Sequence, residues 1–141
     1  MRHNGEMGTR IDLAKYRIEK AKTDLNSAKI LFNANDCKGA NNRAYYAIFH
    51  ALEAVHALDG NSYRSHKETI SNFNKEYVKT EVFPREVGRK IAGAEEIRHA
   101  SDYDDFYLAT KEEAEEQIDV AAEIIGLIEG YCNTRIAEEE M

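Results

Sequence analysis

Arg43, Tyr46 and His50 are the residues of this 141-residue chain whose types and spacing could do chemistry. A separation of seven residues returns Arg43 and His50 to within about 20° of each other around a helix, with Tyr46 beside them one turn after Arg43. Their other neighbours on that face are Ala47, Ala54 and Ala57. A solvated helix face ordinarily carries Lys, Glu and Gln. An Arg, a His and a Tyr set among alanines leave room for something else, either another helix at close range or a ligand in a groove. Imidazole moves protons near physiological pH, and guanidinium is a permanently charged planar fork that grips phosphate. Together they suit transfer at a phosphodiester, with an RNA 2′-hydroxyl as nucleophile and no metal required. The same pair also fits plain hydrogen-bonded packing at a helix interface.

The elements that must position these residues are helices. Ala14, Ile18, Ala21, Leu25, Ala28 and Phe32 recur in steps of four and three from Asp12 onward, one apolar stripe of a long amphipathic helix. Asn33 and Asn35 suit its C-terminal end, where left-handed backbone is tolerated. A second helix is expected from about Asp36 to Asp59, ended by Gly60, with Tyr45, Ile48, Leu52 and Val55 facing the core. Ser65-His66-Lys67-Glu68 reads as a capping box opening a third helix that buries Ile70, Phe73 and Tyr77. Pro84 suits the first turn of a fourth, with Val87, Ile91, Ala94 and Ile97 inward. The pattern breaks over residues 101–105. Thr110-Lys111-Glu112-Glu113 then opens a long final helix carrying Ala114, Ile118, Ala121, Ile125, Ile128 and Cys132. No segment alternates with period two. The expected fold is all-α, an up-and-down bundle of four to five helices over residues 12–137, with a flexible polar tail at 1–11 and a frayed acidic end at 138–141.

Composition narrows the class. Hydrophobic residues make up 43% and charged residues 32%, with one Pro, so the chain is neither collagen-like nor disordered. No apolar stretch reaches the roughly 18 residues of a membrane span, and the N-terminus lacks a signal-peptide core. Cys37 and Cys132 have no second ligand at metal spacing and are expected as reduced thiols of a cytoplasmic protein. The net charge of -7 repels nucleic acid at long range, so any nucleic-acid role must rest on a local basic site.

The run Asn42-Arg43-Ala44-Tyr45-Tyr46-Ala47-Ile48-Phe49-His50-Ala51 resembles the signature helix of the HEPN (higher eukaryotes and prokaryotes nucleotide-binding) domain. That signature is an Arg, a polar position nearby, four to six intervening residues, then a His. Ser65-His66, Phe73 with Tyr77-Val78-Lys79, and Arg98 with Ser101-Asp102-Tyr103-Asp104 follow the pattern of small stand-alone prokaryotic members, over roughly residues 12–130. The resemblance implies a helical bundle, commonly a homodimer, with paired Arg and His lining a cleft between protomers. Many members are metal-independent endoribonucleases that leave a cyclic phosphate; others bind nucleotides without cutting. Small bacterial and archaeal members often act as toxins beside a minimal nucleotidyltransferase that neutralises them. Carried over by position, Arg43 holds phosphate, His50 transfers a proton, and Asn42 and Tyr46 assist. One branch has a Tyr two residues after the His that receives nucleotidyl groups; here Leu52 stands there, so that modification does not apply.

The remaining polar residues have simpler expectations. His66, beside the cap Ser65, is read first as helix-start structure and second as a cleft residue. Arg98 is read as the partner of Asp102 or a neighbouring carboxylate before a ligand contact. His56 is expected as a partly buried packing residue near Phe49, and His3 lies in the tail. Asp102, Asp104 and Asp105 lack the spacing of a cation loop, so no metal and no cofactor are expected. The stripe Ala40, Ala44, Ala47, Ala51, Ala54 allows close helix approach and with it a homodimer. Two functions follow: a ribonuclease toxin, or a non-catalytic bundle that binds nucleotide or partners a nucleotidyltransferase. The net charge leans toward the second and the intact Arg43/His50 pair toward the first.

Overall fold

The computed structural model describes the backbone of residues 2–141 and the side chains from Glu6 onward. It contains five α-helices: α1 (Arg2–Asn33), α2 (Cys37–Leu58), α3 (His66–Phe73), α4 (Arg85–Tyr103) and α5 (Lys111–Glu140). One π-helical turn, Asn74–Val78, continues α3. No strand occurs among the described residues.

The helix ends follow local chemistry. The Asp36 side chain accepts from the Gly39 N–H at the start of α2, and Ser65 and Thr110 accept from Glu68 and Glu113 in the expected capping boxes. Asn35 takes the left-handed conformation after α1, and Gly60 takes it at φ +79° after α2. Two ends differ from expectation. Helix α1 begins at Arg2, upstream of the expected Asp12 start, because Met7 and Ile11 extend its apolar stripe backward; Ile11 is buried and Met7 packs on the core. The expected tail is therefore helical from Arg2, and residues 138–140, expected to fray, are the exposed last turn of α5. His3 lies outside the described side chains. Helix α4 also runs on to Tyr103, since buried Ser101 accepts a hydrogen bond from Asn41 at 3.2 Å.

Helix α2 is the central element, packed against α1, α3, α4 and α5. Its large residues Tyr45, Ile48, Leu52 and Val55 are buried, as expected, and so are Ala40, Ala44, Ala47, Ala51 and Ala54. That alanine stripe is covered within the chain and is no surface left for a second copy. The small residues do allow close helix approach, but the helices that approach are the chain's own. Helix α1 lies antiparallel along the Arg43/His50 side and brings its own buried Ala14, Ala21 and Ala28. Arg43 and His50 then sit at the edge of that packed seam.

Candidate functional site

The antiparallel α1–α2 hairpin places acid against base. Asp24 of α1 meets both candidate residues of α2: its Oδ1 accepts from Arg43 Nη1 at 3.3 Å, and its Oδ2 lies 3.3 Å from His50 Nε2. That Oδ2 is buried and receives no well-aligned hydrogen bond. On the other side of the imidazole, His50 Nδ1 lies 2.8 Å from Glu53 Oε1, which also takes Arg17 Nη1 of α1 at 3.2 Å. Burial raises the Glu53 carboxyl, but the His50 bond and the charges of Arg17, His50 and Lys20 outweigh it and hold the group below its ordinary range. Glu53 is therefore ionised at neutral pH and can only accept. His50 Nδ1 therefore carries a hydrogen and donates to Glu53, which leaves Nε2 as the nitrogen on the Asp24 side.

Arg43 is held along its length. Asn42 Oδ1 accepts from Arg43 Nε at 2.9 Å and Nη2 at 2.8 Å, while the guanidinium lies 5.0 Å from the Tyr46 ring centre. Asn42 Nδ2 donates to both oxygens of Asp102, at 2.9 and 3.2 Å. Asp102 is in turn 3.6 Å from Arg98 Nη1. The Arg98 guanidinium covers the Tyr45 ring at 4.6 Å and approaches Tyr46 at 5.8 Å.

His66 closes the set. Its ring stacks obliquely on Phe49 with centroids 4.1 Å apart, and its Nδ1 is 3.1 Å from the Tyr45 hydroxyl. Burial pushes the Tyr45 hydroxyl up to about 12 against the opposing pull of Arg98, so it stays protonated and donates. Burial and the Arg98 charge push His66 down, so its ring is neutral and accepts at Nδ1.

All six residues singled out from the sequence, Asn42, Arg43, Tyr46, His50, His66 and Arg98, thus fall in one continuous cluster. Arg98 pairs with Asp102 as expected and also touches the aromatic pair. Sequence reasoning missed Asp24, Glu53 and Tyr45. The sequence marks Tyr45 only as core, and it is core, with its hydroxyl turned to His66. Asp24 and Glu53 left a signal in the hairpin: residues equidistant from the connection at 34–36 face each other, which sets α1 residues 17–24 against α2 residues 43–53. His56 departs from expectation. It is 1% exposed and packs on Tyr63, Phe73 and Tyr77 rather than near Phe49. Asp104 accepts from the Phe106 N–H, an ordinary turn contact.

The surface charge is uneven. Helix α5 carries ten carboxylates and two cations, so the rest of the chain holds seventeen basic and sixteen acidic residues. No α5 side chain bonds to the cluster among the described residues; its polar contacts run to Lys22, Phe32, Asp59 and Lys90. The net charge of -7 is a property of one helix and not of the candidate site.

The comparisons agree with this architecture. The chain is 28% identical over 123 residues to a UPF0332 protein of Thermotoga maritima, covering 87% of this chain and 93% of that protein. It is 32% identical over 98 residues to "Putative toxin MJ0142" of Methanocaldococcus jannaschii, covering 70% and 67% respectively. The crystal structure of TT1696 from Thermus thermophilus shares the fold with a TM-score of 0.71 at 21% identity, over 83% of this chain and 96% of that one. The family model of the HEPN domain matches residues 14–131, a span that contains every residue of the cluster. The chain belongs to the HEPN domain family.

Proposed function

We propose that this protein is an endoribonuclease of the HEPN type and the toxin of a toxin–antitoxin pair. The observation that carries the reading is that Asp24 lies 3.3 Å from both Arg43 and His50, so that a phosphate-binding fork and a proton-transfer group stand side by side at the edge of the α1–α2 seam. Arg43, 36% exposed at its side chain, exchanges its Asp24 contact for a substrate phosphate. His50, oriented by Glu53, takes the proton of the RNA 2′-hydroxyl at Nε2. The 2′-oxygen attacks phosphorus, the bond to the 5′-oxygen breaks, that oxygen leaves with a proton from solvent, and the protonated His50 returns its own proton to solvent. The product ends are a 2′,3′-cyclic phosphate and a 5′-hydroxyl. Asn42 and Tyr46 hold the Arg43 guanidinium in place, and Arg98 and His66 complete the polar floor.

In this reading the protein works in the cytoplasm as a homodimer, neutralised by a minimal nucleotidyltransferase. The dimer draws support from the exposed apolar residues Tyr103, Phe106 and Leu108, which begin one residue after Asp102 of the cluster. A second reading, nucleotide binding or partner docking without cleavage, is favoured by the Asp24 and Asn42 contacts that already occupy the Arg43 guanidinium.

The deciding experiment is cleavage of a labelled mixed-sequence RNA in EDTA by wild type and His50→Ala. Cutting by wild type alone, leaving a cyclic phosphate, is the expected result. Failure of both folded proteins to cut selects the binding reading, under which Arg43→Ala weakens nucleotide binding.

A further inference from the structure

Outside the cluster, the molecule's most distinctive charged feature is a stripe of lysines. Lys67, Lys75 and Lys79 line one open groove with Ile70, Ser71 and Asn74, facing Glu95 of α4. Lys67, Ser71, Lys75 and Lys79 follow in steps of four. On a regular α-helix each such step drifts by about 40°, which would carry the last lysine well round the barrel. The π turn at Asn74–Val78, closed by the Lys79 N–H to Asn74 C=O bond at 2.8 Å, packs more residues into its turn and counters that drift. One groove therefore sees all three ammonium groups.

These cations have no ion-pair partner. None of the three lysines forms an ion pair or side-chain hydrogen bond with another described residue, whereas Lys22, Lys90, Arg98 and Arg135 are all paired. Three like charges along one groove raise its positive potential, and an anion with repeated charge relieves it. The groove's one lining carboxylate, Glu95, stands toward the candidate site, where its charge acts on both Tyr45 and His66. Lys67 follows His66 directly. The stripe thus leads away from the cluster for about 20 Å of helix rise from His66 to Lys79.

We infer that this groove is the track for the backbone of a single-stranded RNA whose scissile phosphate sits at Arg43 and His50. Lys67, Lys75 and Lys79 each meet a phosphate. The inference rests on the reading of the Arg43/His50 site and adds that the substrate is a polynucleotide extending past it, bound by spaced phosphates rather than by one nucleotide.

The test is fluorescence anisotropy with a labelled 12-nucleotide 2′-O-methyl oligouridylate, which lacks the free 2′-hydroxyl and cannot be cut. Wild type is compared with Lys67→Gln/Lys75→Gln/Lys79→Gln, and with Lys15→Gln/Lys29→Gln as a control on α1. All five positions are exposed, and unchanged thermal melts verify folding. The triple variant is expected to bind about tenfold or more weakly at 0.1 M salt. The slope of log affinity against log salt should become shallower by about two, near 0.7 for each phosphate no longer neutralised. The control should match wild type. Equal affinity and slope for the triple variant and wild type overturn the inference, as does wild type that does not bind the oligonucleotide. Retained binding with lost self-association of the triple variant also overturns it and assigns the stripe to the acidic helix of a second copy. The nuclease reading falls separately: wild type that binds the oligonucleotide through the stripe but cuts no unmodified RNA leaves the track standing and removes the cleavage.

Discussion

Helix α2 carries two histidines six residues apart, and the regions around them use the same residue types to opposite ends. Around His50 stand Arg43, Arg17, Tyr46, Asp24 and Glu53. Around His56 stand Asp59, Tyr77, Tyr131 and Arg135. At the His56 end the Asp59 circuit is closed, while His56 itself keeps a buried Nδ1 without a partner among the described residues. Asp59 accepts from the Tyr77 hydroxyl and from Arg135 Nη2 at 2.8 Å, and Arg135 Nη1 donates to the Tyr131 hydroxyl at 2.8 Å. His56 Nε2 donates to the Thr69 carbonyl at 3.0 Å, and the ring is fully buried. At the His50 end the circuit is open. Arg43 reaches solvent, His50 presents Nε2 toward a carboxylate oxygen with no aligned donor, and the two carboxylates Asp24 and Glu53 meet the two guanidiniums Arg43 and Arg17. Residue type alone therefore does not mark a site. What sets the His50 end apart is an arginine that reaches solvent beside a histidine, whereas the Asp59 circuit ties the end of α2 to Tyr77 and to Arg135 of α5.

The largest expected effect would break the comparison at its open end. Arg43→Lys keeps the charge and removes the planar fork that spans Asn42 and Asp24. Cleavage of RNA is expected to fall about 100-fold, the cost of losing one preorganised donor at developing charge, while the thermal midpoint holds. A lysine variant that cuts at the wild-type rate would show that the guanidinium is only a packing group there. It would then resemble Arg135.

At the closed end the sign reverses. Arg135→Leu strips Asp59 of its guanidinium and leaves a half-buried carboxylate held by Tyr77 alone. The expected cost is about 2 kcal/mol of stability, or about 6 °C in thermal midpoint, with the cleavage rate per folded molecule unchanged. The exposed Lys90–Glu123 pair sets the scale: Lys90→Gln should change stability by under about 0.5 kcal/mol. If Arg135→Leu were as mild as Lys90→Gln, the closed circuit would be decoration rather than a tie.

Much of this is legible in the sequence because helices write their burial in period. The capping residues Ser65 and Thr110, the left-handed Asn35 and Gly60, and the core stripes of α1, α4 and α5 are local signals that can be read directly. Met7 and Ile11 escape notice because Gly5, Gly8 and the surrounding polar residues hide a stripe that only packing on the core reveals. The alanine stripe of α2 does mark a place for close approach, but a one-helix wheel cannot say whose helix approaches. Arg43 and His50 are visible as an anomaly on a wheel. Asp24 is not, since a carboxylate on α1 gains meaning only when the hairpin brings it across, and the same holds for Asp59 and Arg135, 76 positions apart. The charge shows the limit from another side. A total of -7 averages an acidic α5 with a nearly neutral remainder and hides the lysine stripe altogether.

The smallest effect separates the two histidine regions by pH. Burial pushes His56 down, against the Thr69 bond and the charges of Asp59, Glu53 and Glu76 that pull it up. Burial and Arg98 push His66 down, against Glu53 and Glu95. In the unfolded chain both imidazoles take a proton near their ordinary value of about 6.5, while in the folded protein they resist it. Between the folded and unfolded values the unfolded state binds more protons, so stability rises with pH through that window and is lost as pH falls below about 6.5. Glu53 cannot mimic this. Its folded value lies below the ordinary carboxylate range, so its contribution stays whole above about 4.5 and declines only under it. Thermal melts at pH 7.5 and 5.5 should therefore differ by a few degrees, the lower pH being the less stable. His66→Gln keeps an acceptor for the Tyr45 hydroxyl but cannot be protonated, and it should reduce that difference without removing it, because His56 remains. A difference unchanged in His66→Gln would assign the whole dependence to the closed region around His56, and the open region would then contribute to chemistry and nothing to the pH dependence of stability.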